Sequence, residues 1–264
     1  MNELIGYLCA ALIGISLGLT GGGGSILTVP ILVYLFHLSP LVATSYSLFI
    51  VGSTSLVGAI NSHAGRLVDL KVVLLFGLPS VITVFFTRKF LLPAMPINVA
   101  MIGEYEMEFA TLTMILFALL MLLASISILL PANNWRKPVH RERTIMFYGI
   151  GVGLITGFLG AGGGFLLIPA LVLLLGIEMK KAVGISLLLI TLNSLIGFLG
   201  DLGSFDIDWK FLGLMTIVAI AGIFVGSFLS KKIKGEKLKK IFGWLVLVMG
   251  IYILVKEIFQ SFYV

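Results

Sequence analysis

Residues 18–30 read GLTGGGGSILTVP, and residues 157–169 read GFLGAGGGFLLIP. Each stretch is a run of glycines inside an apolar, uncharged segment, closed by a proline. Pro30 and Pro169 are separated by 139 positions. Glycine runs that interrupt hydrophobic segments at corresponding places in two halves of a chain mark the binding site of many membrane transporters. The fold follows from this pair of runs.

The surrounding chain is written for lipid. Of 264 residues, 59% are hydrophobic and only 11% charged, and the mean hydropathy is +1.15. A soluble domain carries about a quarter charged residues. No Asp, Glu, Lys or Arg falls between Glu3 and His63, or between Thr144 and Ile177. In lipid every backbone N–H and C=O must be bonded within its own segment, so such stretches form helices. The class expected is an all-α, polytopic helical membrane protein. Glu3 as the only early charge argues against a cleaved signal peptide. Cys9, the single cysteine, excludes an intramolecular disulfide and a cysteine-rich metal site, and it reads as a small core residue. The net charge of +6 does not point to nucleic acid, because the basic residues gather in loops between spans.

Apolar segments fall at 4–19, 25–36, 41–61, 70–87 and 109–130, and again at 145–160, 163–176, 180–199, 211–229 and 240–259. The same 139-residue offset places Gly14 on Gly153, Gly18 on Gly157 and Gly21 on Gly160. It places Ala43 on Ala182, Ser47 on Ser186, Thr54 on Asn193 and Ser55 on Ser194. A register without gaps over this length means duplication. The domains expected are therefore an N-terminal membrane repeat (1–132), a basic linker (133–143) and a C-terminal membrane repeat (144–264).

Short loops rich in Lys and Arg mark the cytoplasmic face. The linker, with Arg136, Lys137, Arg141 and Arg143, and the loop Lys231–Lys240 belong there on this rule. The acidic groups Glu104, Glu106, Glu108 and Asp201, Asp206, Asp208 fit the opposite face, although Arg88 and Lys89 run against that assignment. A helix over 25–36 rises only about 18 Å, against a hydrocarbon core of about 30 Å. Paired with 4–19 through the glycine run, it makes a re-entrant hairpin, and each half then holds one hairpin plus three crossings. An odd number of crossings inverts the second repeat relative to the first. Counting every short segment as a crossing gives ten spans, with the same parity.

Glycine lets the backbone bend sharply and approach a ligand closely. Where such a bend feeds a helix, the first unpaired amides and the helix dipole attract an anion. The candidate substrate-binding residues are Gly21, Gly22, Gly23, Gly24 and Ser25 in the first half, and Gly162, Gly163 and Gly164 in the second. Thr28 could add a hydroxyl. Ser47 and Ser186, at equivalent positions, and Asn193, the most polar residue well inside a span, complete the set. Interhelical hydrogen bonding is the competing role for Asn193, and close helix packing is the competing role for isolated glycines such as Gly14 or Gly58. His37, His63, Arg66 and Lys71 read as interfacial or loop residues. Asp206 and Asp208 lack the His or Cys company of a metal site. No catalytic constellation and no nucleotide-binding loop is present, so neither an enzyme nor an ATP-driven pump is expected.

The segments Gly18–Pro30, Ala43–Leu48, Gly157–Pro169 and Ala182–Leu187 together resemble the TauE/SafE sulfite exporter family. The glycine-rich turn with its proline, then Ala-x-x-x-Ser-Leu, occurs in both halves, as Ala43…Ser47-Leu48 and Ala182…Ser186-Leu187. The resemblance implies an inner-membrane permease for sulfite or organosulfonates, with no metal or organic cofactor. Two features depart from a strict repeat: the insert Phe90–Glu108, and Thr83 and Thr87 where the second half has Gly222 and Gly226. The expected function is transport of a small anion by alternating access, with a proton or sodium ion as a candidate coupling partner and a homodimer left open. An anion channel on the same scaffold, or a non-transporting membrane subunit of a sulfur-handling assembly, are the alternatives.

Overall fold

A computed structural model describes residues 2–61, 70–95, 98–102, 105–130 and 142–263. The linker expected at 133–143 falls almost wholly outside them, as do His63, Arg66 and Glu104. Ten helices account for nearly all of the described chain. In the first half these are α1 (Asn2–Thr20), α2 (Gly23–Tyr34), α3 (Pro40–Asn61), α4 (Leu70–Leu91) and α5 (Phe109–Leu129). In the second half they are α6 (Glu142–Leu159), α7 (Gly164–Leu174), α8 (Met179–Asp201), α9 (Trp209–Lys232) and α10 (Gly235–Tyr263). The one departure among the described residues is a short antiparallel pair, β1 (Asn98–Ile102) and β2 (Tyr105–Glu108), inside the insert before α5.

Among the described residues, six helices are long and apolar enough to cross a bilayer, three in each half: α3, α4 and α5, then α8, α9 and α10. The shorter helices pair instead. α1 and α2 fold back on each other through the first glycine run, with Gly24 packed on Ile13 and Leu17 near the bend and Gly6 against Phe36 at the open end. At 12 residues, α2 reaches only about 18 Å. α7, at 11 residues, is shorter still. The first half is therefore a helical hairpin followed by three long helices, and the second half places α6 and the short α7 ahead of its own three.

Packing between the halves is reciprocal. α1 lies along α9, and its counterpart α6 lies along α4, the counterpart of α9; α3 packs on α8, α5 on α10, and α2 on α7. The reciprocity reaches single residues. A side chain on Gly14 would meet the Ala219 carbonyl, and one on Gly153, 139 positions on, would meet the carbonyl of Ser80, 139 positions before Ala219. Small residues at these crossings let backbones touch, which is how helices associate where lipid supplies no hydrophobic drive. Gly222 and Gly226 abut the carbonyls of Ala11 and Ile15 in the same way. In the α4–α6 crossing Thr87 stands in for Gly226 and packs its methyl on Gly157.

α3 and α8 are innermost. Inside the protein, 67% and 72% of their spanning windows are buried, against 33–44% for the other four. Their hydroxyl-rich faces, including Ser45, Ser47, Thr54, Ser55, Ser186 and Ser194, are wholly buried. Leu8, Leu12, Leu74, Leu78, Ile82, Phe86 and Phe228 are exposed on the outside. This inside-out distribution is what a bilayer solvent selects. A separate apolar core joins Met114, Phe117 and Met121 of α5 to Phe242 and Val246 of α10. Phe117 meets Phe165 of α7 edge-on at 5.2 Å there. At its far end α2 is pinned by Tyr34, which donates to Glu257 of α10 at 2.6 Å.

The turns that follow the short helices also correspond. His37 (φ +54°) and Gly176 (φ +67°) occupy equivalent positions and share the left-handed backbone. His37 thus holds a turn that glycine holds in the other half.

Candidate anion site at the paired glycine runs

The two glycine runs meet inside the protein. Gly21 and Gly160, at the 139-residue offset, both take left-handed backbone (φ +72° and +62°), the region that favours glycine. Gly162 and Gly163 do so as well, at +63° and +74°. The second bend is thereby longer, and α7 starts at Gly164 whereas α2 starts at Gly23. Gly22 and Gly164 lie in backbone contact, so closely that a Cβ on either would collide with the other. Neither α2 nor α7 has a side-chain cap on its first turn. Two helix N-termini thus converge, and their positive dipole ends create the field that an anion seeks.

The hydroxyls near these bends have settled roles. Ser25 Oγ donates to the Gly22 carbonyl at 2.8 Å, and Thr28 Oγ1 donates to the Gly24 carbonyl at 2.8 Å. Both spend their proton on the run's own backbone. Ser186 Oγ lies 2.9 Å from the Gly21 carbonyl and 2.9 Å from that of Val183, tying α8 to the first bend. Ser47, its counterpart, is fully buried with no hydrogen-bond partner among the described residues. Ser194 Oγ, also buried and without a partner among the described residues, faces Gly162.

Asn193 lies elsewhere. Its Nδ2 donates to Ser80 Oγ of α4 at 2.9 Å, which is the interhelical role, while Oδ1 is left without a partner. Asn193→Ala should therefore lower stability by about 0.6–2 kcal/mol. A double-mutant cycle with Ser80→Ala checks this, and a coupling energy near zero would contradict it. Lys71 is engaged too, in an exposed pair with Glu142 at 2.6 Å. Asp208 accepts from the Phe211 amide at 3.0 Å and caps α9.

One component of the site escaped the reading of the sequence. Arg88 is buried at the second bend, with Nη2 over Gly160, where any Cβ would overlap it. Nη1 donates to Asp201 Oδ2 at 3.0 Å and to Thr44 Oγ1 at 3.3 Å. Nε and Nη2 have no partner among the described residues. A buried donor without an acceptor costs about 1–3 kcal/mol, more when charged. The helix does not end at Thr87 as the hydropathy suggests: a π-helical turn, Thr87–Leu91, carries it on and turns Arg88 inward. α8 likewise runs past residue 199 to Asp201.

The counterpart of Arg88 is Ser227, and the two positions differ in access. Ser227 lines a cleft of about 220 Å³ together with Gly18, Val183, Leu187, Lys180 and Lys231. Val183 in its wall packs against Gly21, so the cleft leads to the first bend. At the equivalent place in the other half, Gly157 is covered by Thr87, and Arg88 and Thr44 are joined by a hydrogen bond. A second cleft, of about 420 Å³, is lined by Tyr7, Phe36, Asp208, Lys210 and Phe211, with no residue of either glycine run.

A multi-pass helical membrane protein whose two glycine bends meet in its interior has the build of a membrane transporter. A family model described as "Sulfite exporter TauE/SafE" matches residues 6–253, and the chain belongs to that family. Similar proteins include a "Probable membrane transporter protein" of Xylella fastidiosa (strain 9a5c), 28% identical over 92% of this chain and 91% of the relative. Another is the "Probable membrane transporter protein YunE" of Bacillus subtilis (strain 168), 26% identical over 96% of each chain. The "Probable membrane transporter protein MJ0441" of Methanocaldococcus jannaschii is 32% identical over 41% of this chain and 43% of the relative. No solved structure matches. Family membership and these relatives place the chain among membrane transporters.

Proposed function

We propose that the protein carries a small sulfur-containing anion, sulfite or an organosulfonate, across the plasma membrane by alternating access between two inverted repeats. The observation that carries this reading is the contact of Gly22 with Gly164, which brings two uncapped helix N-termini together in the protein interior. Amide dipoles attract an anion without holding it as tightly as a bare cation does, which suits a site that must also release its ligand. The contrast between the cleft beside Ser227 and the closed packing beside Arg88 supports access from one side at a time. Lys180 and Lys231 flank this cleft, and the excess of Lys and Arg in Lys231–Lys240 supports a cytoplasmic position for that end.

Purified protein in liposomes tests this with a panel of sulfite, sulfate, thiosulfate, sulfoacetate and taurine, each with and without a proton or sodium gradient. The expected result is saturable flux of at least one sulfur oxyanion, driven by a gradient. Flux that rises linearly with concentration would indicate a channel. Absence of flux for every anion in the panel would contradict the proposal.

A further inference from the structure

Arg88 is held by one nitrogen only. Nη1 serves both Asp201 and Thr44, while Nε and Nη2, the side-on edge with two parallel N–H vectors, point at no acceptor among the described residues. The side chain is fully buried, with no surface open to bulk solvent. We propose that this edge is an anion subsite, taking two oxygens of one sulfite or sulfonate group at the second glycine run. It rests on the transport reading above, because the ligand class comes from there.

Three features support it. A guanidinium edge matches two oxygens on one central atom, and such bidentate, charge-assisted bonds are among the strongest available to a protein. Gly160, by lacking a Cβ, leaves the Nη2 end of that edge lying directly against the bend. Asp201 neutralises the guanidinium from its other side, at 3.0 Å. An arriving anion therefore meets a directional pair of donors rather than a full unbalanced charge, and it can leave again. Only one half carries this group, since the equivalent position is Ser227. The two bends thus contribute unequally: one offers amides alone, the other amides plus a fork.

The test is a sulfite titration of the purified, detergent-solubilised protein, read by the shift in thermal unfolding, with chloride at equal ionic strength as control. Arg88→Lys keeps the charge and loses the fork. Sulfite affinity is expected to fall about tenfold or more in this variant. Equal affinity in Arg88→Lys and the unaltered protein would overturn the subsite and leave the transport reading intact. No stabilisation by sulfite, sulfoacetate or thiosulfate in the unaltered protein would overturn both. Should Arg88→Lys fail to fold, the double change Arg88→Gln with Asp201→Asn, which leaves neither charge of the pair buried, decides. Its sulfite affinity should again fall about tenfold or more, and an affinity equal to that of the unaltered protein refutes the subsite.

Discussion

Gly22→Val should abolish anion flux while leaving the protein inserted in the membrane. Gly22 has φ −157° and ψ −18°, outside both the extended and the helical regions, so a β-branched valine is disfavoured by the backbone as well as by its neighbours. A Cβ there would collide with the carbonyl of Gly164 and come within 3.1 Å of Ile168 Cδ1. The isoleucine tip can move. The carbonyl cannot move cheaply, because it belongs to the first turn of α7, and the bends must be driven apart. Gly22→Ala makes the same collision with one carbon and should retain a small fraction of flux. Rates in proteoliposomes, normalised to the amount of monodisperse protein recovered from membranes, check both. Normal flux in Gly22→Val would show that the contact between the glycine runs has no part in transport.

Asp201→Ala should cause the largest loss of stability of any single polar change. Its carboxylate is the sole anionic partner of the buried Arg88 among the described residues. Removing one member of a buried ion pair strands the other, which typically costs 3–5 kcal/mol. The double change Arg88→Gln with Asp201→Asn leaves no buried charge and should recover most of that loss, although the anion fork is gone. Denaturant titration in mixed micelles measures both. Equal stability of Asp201→Ala and the unaltered protein would mean that the pair is not formed in the membrane.

Much of this architecture was legible in the chain. Two glycine runs with prolines at one offset point to two corresponding halves, and the shortness of 25–36 fits the fold-back of α1 on α2 through the first run. The 139-residue register even reproduces individual contacts, Gly14 on Ala219 and Gly153 on Ser80. Ser25 and Thr28 lie beside the bend, but hydropathy says nothing about which way a hydroxyl donates, and both donate to their own backbone.

Arg88 was hidden for a physical reason. Hydropathy ends a span at its first charge, so Arg88 and Asp201, each just beyond an expected segment end, read as loop charges. A π-helical turn at Thr87–Leu91 and two further residues of α8 bring them together across 113 positions. No periodicity encodes that meeting. A retrospective signal exists in the repeat itself: Arg88 stands where the other half has Ser227, a charge facing a hydroxyl at a position flanked by matched glycine contacts. Asn193 shows the converse. Its polarity marked it as special, yet only the neighbouring helix reveals that its amide is spent on Ser80.

Where the anion rests is the point on which the account stands, and anomalous diffraction from crystals grown with selenite, a heavier analogue of sulfite, locates it directly. The predicted result is a peak within hydrogen-bond reach of the joined glycine runs and the free edge of Arg88. A peak confined to Lys180 and Lys231 at the surface, or beside Asn193 and Ser80 away from the bends, would contradict it.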